Sequence, residues 1–179
     1  MATTQYLFAG FGGQGILFSG KFLAYKGLTE GKQVSWLPSY GPEMRGGTAS
    51  CSVILSDTPV GSPIVSKPDV LVAMNLPSLD KYEDSVVAGG TIFVDSALIE
   101  RKVKRTDVNV HYVPATRLST ERGFDGIANM ILLGSVIKGS GVIKEETIPA
   151  AMSKVVSAKR QNLFDFNIRA LQLGAEVLE

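Results

Sequence analysis

The sequence predicts an α/β fold: a three-layer, Rossmann-like, mostly parallel sheet with helices on both faces and an antiparallel hairpin portion. The whole chain, residues 1–179, reads as one domain. Three observations carry this. Short apolar runs without polar alternation, such as Tyr6-Leu7-Phe8-Ala9 and Asp69–Met74, read as strands buried on both faces. These runs alternate with helical stretches, the pattern of a parallel sheet covered by its crossover helices. Glycine-rich punctuation separates them, most densely at Gly10-Phe11-Gly12-Gly13-Gln14-Gly15.

The elements follow in order. Tyr6–Ala9 is the first strand and is stopped by Gly10. Ile16–Leu28 is an apolar helix with Gly20 and Gly27 on one face. Each glycine costs roughly 1 kcal/mol of helix propensity, so the spacing predicts close approach of this helix to a sheet. Glu30-Gly31 ends it. Lys32–Leu37 is the second strand, followed by a polar, glycine-rich loop from Pro38 to Gly47. Thr48–Leu55 is β-rich, and Val60–Val65 reads as an edge strand that pairs with it as a hairpin. Asp69–Met74 is a buried strand, Pro77–Val87 a helix with proline in its first turn, and Thr91–Val94 and Val108–Val113 are the last strands. Helices cover Ile127–Lys138, Lys144–Val156 and Asn162–Leu178.

Composition excludes several functions. Lys plus Arg is 18 and Asp plus Glu is 17, for a net charge of +1, without the basic excess of a nucleic-acid binder. The cluster Arg101-Lys102-x-Lys104-Arg105 reads as a solvated loop. The one cysteine, Cys51, rules out an internal disulfide and an all-cysteine zinc site. An iron–sulfur cluster takes four thiolates as a rule, so this chain alone holds none. The start Met-Ala-Thr-Thr-Gln lacks a basic n-region, and no apolar run approaches a membrane span. The expectation is a cytoplasmic protein without nucleic-acid or membrane partners.

In a parallel sheet, ligands bind outside the carboxyl ends of the strands. The Gly10–Gly15 turn, the Ser39–Gly47 loop, Asn75 and Asp95 each follow a strand, so parallel strands place all four on one edge. Gly10-x-Gly12-x-x-Gly15 has the dinucleotide-binding spacing, with a strand before and a helix after. Bare amides and the positive helix end favour an anion there. The acid that would hold a ribose at the end of the second strand is missing, since that strand ends Ser35-Trp36-Leu37-Pro38. A standard NAD site is therefore disfavoured. The turn is open to two readings, anion contact and packing against another chain. In the following loop, Ser39, Tyr40, Glu43 and Arg45 sit among glycines and prolines; Arg45 suits a phosphate or carboxylate, or an ion pair with Glu43. His111 is the only histidine and lies in a strand without an assignable partner, so no catalytic residue and no metal site is read here.

Three segments resemble the gamma subunit of 2-oxoacid:ferredoxin oxidoreductases: Gly10-Phe-Gly-Gly-Gln-Gly-Ile16, Leu37-Pro-Ser-Tyr-Gly-Pro-Glu-Met-Arg-Gly-Gly47 and Pro68-Asp-Val-Leu-Val-Ala-Met-Asn75. Asn129–Gly134 and Asn167–Gly174 also look like that family, so the resemblance spans essentially the whole chain. The Ser39–Gly47 segment looks most like the 2-oxoglutarate type, then the branched-chain type. The pyruvate type usually differs there. The resemblance implies a complex that decarboxylates a 2-oxoacid on thiamine diphosphate, passes electrons through iron–sulfur clusters to ferredoxin, and forms an acyl-CoA. Thiamine diphosphate and the clusters are then expected in partner chains, the alpha, beta and, where present, delta subunits. This chain firmly holds no cofactor of its own. Its counterpart in fused enzymes is linked to coenzyme A.

On that resemblance the expected function is oxidative decarboxylation of 2-oxoglutarate to succinyl-CoA, with this chain structural and coenzyme A-contacting. The expected contacts are Gly10, Gly12, Gly13, Gln14, Gly15, Ser39, Tyr40, Glu43, Arg45 and Asn75. The rivals are a branched-chain, pyruvate or indolepyruvate complex, a ligand-free assembly subunit, and a stand-alone nucleotide-binding protein. The isolated chain has a second copy of itself as a further candidate partner.

Overall fold

The computed structural model describes residues 2–39, 48–141 and 144–178. Its centre is one six-stranded sheet. The strands are β1 (Thr3–Phe11), β2 (Gln33–Ser39), β3 (Thr48–Ser56), β4 (Val70–Ala73), β5 (Thr91–Asp95) and β6 (Asn109–Val113), in the spatial order β2-β3-β1-β4-β5-β6. β1, β4, β5 and β6 pair in parallel. β3 runs against both of its neighbours, β1 and β2.

The antiparallel portion is therefore present, but it is built differently from the sequence reading. The hairpin is β2–β3, with Leu37 opposite Ser52 and Ser39 opposite Ser50. Val60–Val65 forms no strand. Pro59 and Pro63 each remove an amide donor, and Gly61 between them weakens any ladder further.

Alternation along each strand divides the core. Tyr6, Phe8, Val53, Leu55, Val72 and Phe93 point to one face. Leu7, Leu71, Ala73, Ile92 and Val94 point to the other, as the two-residue period of a strand requires. The first face carries α1 (Ile16–Thr29), α3 (Ala115–Glu121), α4 (Ala128–Ser140), α5 (Ile148–Val155) and α6 (Gln161–Glu176). The second carries α2 (Leu76–Tyr82), whose Leu79 is fully buried, and the segment holding Ile99. The three layers are therefore unequal. α3 was not legible in the sequence, and the predicted 77–87 helix is shorter, closing in a 3-10 turn at Glu83–Ser85.

Close approach explains the helix glycines. A Cβ at Gly20 would strike Cys51 Sγ, and one at Gly27 would lie 2.5 Å from Leu55 Cδ2. Both contacts are on β3, so α1 lies directly on the sheet. α1 is fastened at its far end by Lys26, which is fully buried and bonds Glu30 and Thr147. Burial of a lysine is tolerated because its charge is matched within one turn.

Candidate functional site

β1 and β4 lie side by side and parallel, yet the chain leaves them in opposite directions. β1 leads through residues 12–15 into α1 on the thick face, and β4 leads through Met74 and Asn75 into α2 on the thin face. This divergence is a topological switch point, where open α/β sheets form their ligand crevice.

The turn at this crevice is bare. Gly12 and Gly13 are exposed, and Gly13 has φ 94° with nothing within 4 Å of a Cβ placed on it. Gly15 is the N-cap of α1 in the left-handed conformation (φ 76°), and a Cβ there would run into Asn129. Glycine is needed at this position for both reasons. It also leaves α1 without a side-chain cap, and the first turn of α1 contains no acid. The amides of that turn lack acceptors within the helix, and the helix end is electropositive.

Gln14 closes the crevice from within. Its Oε1 accepts from the Phe11 amide at 2.6 Å, and its Nε2 donates to the Met74 carbonyl at 3.0 Å. Its backbone amide donates to Phe11 O at 3.2 Å. Gln14 thus bridges the ends of β1 and β4, and its own amide is engaged within the turn. Gly10 makes room for that bridge, since a Cβ there would lie 2.6 Å from Gln14 Oε1. Asn75 is 3% exposed. Its Oδ1 accepts from the Ser78 amide at 2.8 Å and caps α2. Its Nδ2 is buried without a hydrogen-bond partner among the described residues. An unmet buried donor costs about 1–3 kcal/mol, so this amide is a place where a partner group would be welcome.

Of the features expected on one edge, the Gly10–Gly15 turn, Ser39, Asn75 and Asp95 lie at the carboxyl ends of β1, β2, β4 and β5, which all run the same way. The structure brings Gly10, Gly12, Gly13, Gln14, Gly15 and Asn75 together at the switch point. Ser39 is on the same edge but two strands away, since Ala9 and Ser39 both pair with Ser50 from opposite sides. That separation is about 10 Å. Tyr40, Glu43 and Arg45 lie outside the described residues. Asp95 is fully buried and already occupied: it accepts from Ala97 N at 3.1 Å, Thr116 N at 3.1 Å and Thr116 Oγ1 at 2.6 Å. Burial pushes its carboxyl pKa up in spite of these bonds. Its task is to tie β5 to the start of α3.

Cys51 and His111 are both taken up in packing. Cys51 is fully buried, and burial pushes its thiol up to about 12, the environment of an unreactive core cysteine. His111 stacks on Phe93 with centroids 4.9 Å apart, and burial lowers its pKa. Among the described residues no group of three or more His, Cys, Asp or Glu side chains could hold a metal ion. No helix among them is long and apolar enough to cross a membrane.

A second concavity was missed in the sequence. Gly15 and Phe18 of α1 also line a cavity of about 630 Å³ that continues past Asn129 of α4 to Lys159, Arg160 and Asn167 beside and within α6. Asn129 is 6% exposed, and its Nδ2 bonds Gly15 O at 3.1 Å and Ser19 Oγ at 3.2 Å. The sequence carried one usable signal for this cavity, an adjacent basic pair immediately before a helix start.

Comparison with known proteins agrees with this architecture. Residues 5–177 match the model of the family described as pyruvate ferredoxin/flavodoxin oxidoreductase. The chain is 43% identical over 169 residues to ketoisovalerate oxidoreductase subunit VorA of Methanothermobacter thermautotrophicus; the match covers 94% of this chain and 35% of that protein. The chain thus spans about a third of that relative's length. It is 34% identical over 172 residues to 2-oxoglutarate synthase subunit KorC of Methanocaldococcus jannaschii, covering 94% of this chain and 90% of that one. The crystal structure of a keto/oxoacid ferredoxin oxidoreductase gamma subunit from Geobacter sulfurreducens superposes with a TM-score of 0.83 at 29% identity, over 97% of this chain and 96% of that one. With a family match over nearly its full length and a fold shared with a gamma subunit, the chain belongs to the pyruvate ferredoxin/flavodoxin oxidoreductase family.

Proposed function

We propose that this chain is the gamma component of a 2-oxoacid:ferredoxin oxidoreductase complex that converts 2-oxoglutarate to succinyl-CoA. Its own part is to shape the complex and to contact coenzyme A. The observation that carries this is the bare turn at the switch point: exposed Gly12 and Gly13 amides beside the uncapped start of α1. Such a turn accepts a phosphate without any charged side chain. Asn75 Nδ2, unpartnered among the described residues, supplies a further donor. Arg45, which follows β2 in the sequence, is the charged contact in this reading.

The chain does not carry the redox chemistry itself. Its lone, buried Cys51 cannot supply the thiolates of a cluster. Thiamine diphosphate, which supplies the carbanion chemistry, and the iron–sulfur clusters that take its electrons belong to alpha, beta and delta partners in this proposal, with ferredoxin as the acceptor. The similarity to a ketoisovalerate subunit keeps a branched-chain 2-oxoacid as the second substrate reading.

A specific observation also favours a face for a partner subunit beside the turn. Phe11, Leu37 and Leu76 are each 40% exposed and belong to strands or helices on the thin side of the sheet. Phe11 and Leu37 flank β3 from opposite sides, level with Thr48 and Ser52, and such exposed apolar side chains offer surface to a partner chain. The two uses are separated by titrating coenzyme A against the assembled complex carrying Gly13→Val or Arg45→Ala. The proposal expects KM for coenzyme A to rise about tenfold or more with the complex intact. Unchanged affinity and turnover would discard the coenzyme A contact and leave the turn an assembly surface.

A further inference from the structure

We propose that the thin face of the antiparallel strands β2, β3 and β1 seats a helix of a partner subunit, one whose contact face is uncharged. This rests on the reading of the chain as one component of a complex, and it names the surface by which the chain joins. The fold leaves that face open. The buried apolar cluster on the thin side takes residues from β1, β4, β5 and α2 but none from β2 or β3. On the thick side the same two strands are covered by α1.

The open face carries no charge. Alternation turns the odd-numbered residues of β1 and β2 and the even-numbered residues of β3 toward it. None of these is Asp, Glu, Lys or Arg, in a chain where charged residues make up 20%. Depletion of charge marks the centre of an interface, whereas a solvated face carries it. Across the face run one row of Leu37, Ser52 and Leu7 and another of Ser39, Ser50 and Ala9. Ser50 and Ser52 are partly exposed, and Leu37 and Phe11 are 40% exposed. The small side chains of β3 thus form a floor between two apolar rims. At its far end the face meets a recess of about 350 Å³ between Ile54, Pro59, Val60 and Ile64, whose lining is also uncharged. Ile64 is 69% exposed there.

The dimensions select a helix. The rims on β1 and β2 are two strand spacings, about 10 Å, apart, and the nine residues of β3 run about 30 Å. A helix about 10 Å across fills such a channel. α1 shows the arrangement on the other side of β3. There the glycines of the helix allow the close approach, and here the serines of the strand do. The footprint, about 300 Å², is well below the roughly 800 Å² per partner of a stable pair. Two copies of this chain joined only here would separate, so the face suits one contact within a larger assembly. In the ketoisovalerate relative the matching unit is 35% of a longer chain, which tethers a neighbouring unit to it at high local concentration. A charge on the incoming helix would be buried unpaired against this floor, so its contact side is apolar or small.

The test compares complexes purified through a tag on this chain, as the parent and as Ser52→Arg. Recovery of partner chains should fall about tenfold or more with Ser52→Arg. The isolated variant should melt with the parent, because Ser52 is partly exposed in the free chain. Ser52→Ala should assemble as the parent does. Hydroxyl-radical footprinting of the parent reads the same surface without a variant: oxidation of Phe11 and Leu37 should drop several-fold from the isolated chain to the complex. Full assembly by Ser52→Arg, or equal oxidation of both residues in the two states, would overturn the inference. So would light scattering that finds the isolated parent dimeric and Ser52→Arg monomeric, since the face would then belong to a second copy. A parent that recovers no other chain sinks the complex itself, whereas assembly by Ser52→Arg sinks this surface alone.

Discussion

Two groups of cations, each close-set in sequence, end in opposite circumstances. Arg101 and Arg105, between β5 and β6, look like an exposed basic patch. In the structure they are matched: Arg101 meets Asp80 at 2.5 Å and Glu83 at 3.3 Å, and Arg105 meets Asp107 at 2.6 Å and the carbonyls of Glu83 and Val86. Glu83 is 3% exposed and also accepts from the Lys104 amide at 3.1 Å. This cluster is a clasp that holds the thin face of the sheet together. Lys159 and Arg160 have no such acids among the described residues and stand over a cavity. The difference teaches that a run of basic residues has no meaning by itself. Its role is set by whether carboxylates distant in sequence are folded against it.

The comparison can be broken most severely at its most buried example. Lys26 is a third matched cation, fully buried against Glu30 and Thr147. Glu30→Ala strands that charge and should cost about 3 kcal/mol, read as a lowered urea midpoint at neutral pH. The same pair gives a pH dependence with a definite sign. Burial pushes the Glu30 carboxyl up, but bonds from Lys26, the Lys144 amide and Thr147 outweigh it, so its folded pKa lies below the ordinary value. Its stabilisation is therefore present above the unfolded value of about 4.3 and disappears as pH falls through the folded pKa. The gap in Tm between the parent and Glu30→Ala should narrow steadily below pH 4. A gap that stays constant to pH 2 would contradict this.

Glu83→Ala is next in size. It removes the acceptor shared by Arg101 and Lys104 and should destabilise by about 2 kcal/mol. A loss under about 0.5 kcal/mol would show that the clasp is only a set of surface pairs. The smallest effect is of opposite sign: Lys159→Gln/Arg160→Gln should raise ligand-free stability by roughly 0.3–1 kcal/mol. A comparable loss instead would mean that these cations do serve the fold, and the contrast between the two groups would collapse.

Much of the fold could be read from residue patterns, and the failures have physical causes. Buried strands announced themselves, because Tyr6–Ala9 and Asp69–Met74 must be apolar on both faces. The Gly20 and Gly27 spacing predicted contact with a sheet, and β3 provides it. The hairpin was assigned to the wrong neighbour, because strand pairing is decided by which segments meet in space, and Pro59 and Pro63 take the third segment out of the ladder. α3 was missed because it is only seven residues long and follows Pro114 directly. At the site, the Gly10–Gly15 turn and Asn75 were visible because special backbone geometry needs special residues. The Gln14 bridge to Met74 was not visible, since it joins positions 60 residues apart. Lys159 and Arg160 were overlooked for the same reason: the residues that would neutralise them, or fail to, are known only from the fold.

The central claim is that this chain works as one part of an oxidoreductase and carries none of its redox centres. Purification of the native protein under mild conditions, followed by assay of ferredoxin reduction, tests it directly. The account predicts co-elution with other chains, one of them bearing roughly four cluster-ligating cysteines, and ferredoxin reduction that requires both 2-oxoglutarate and coenzyme A. A chain that elutes alone would contradict it.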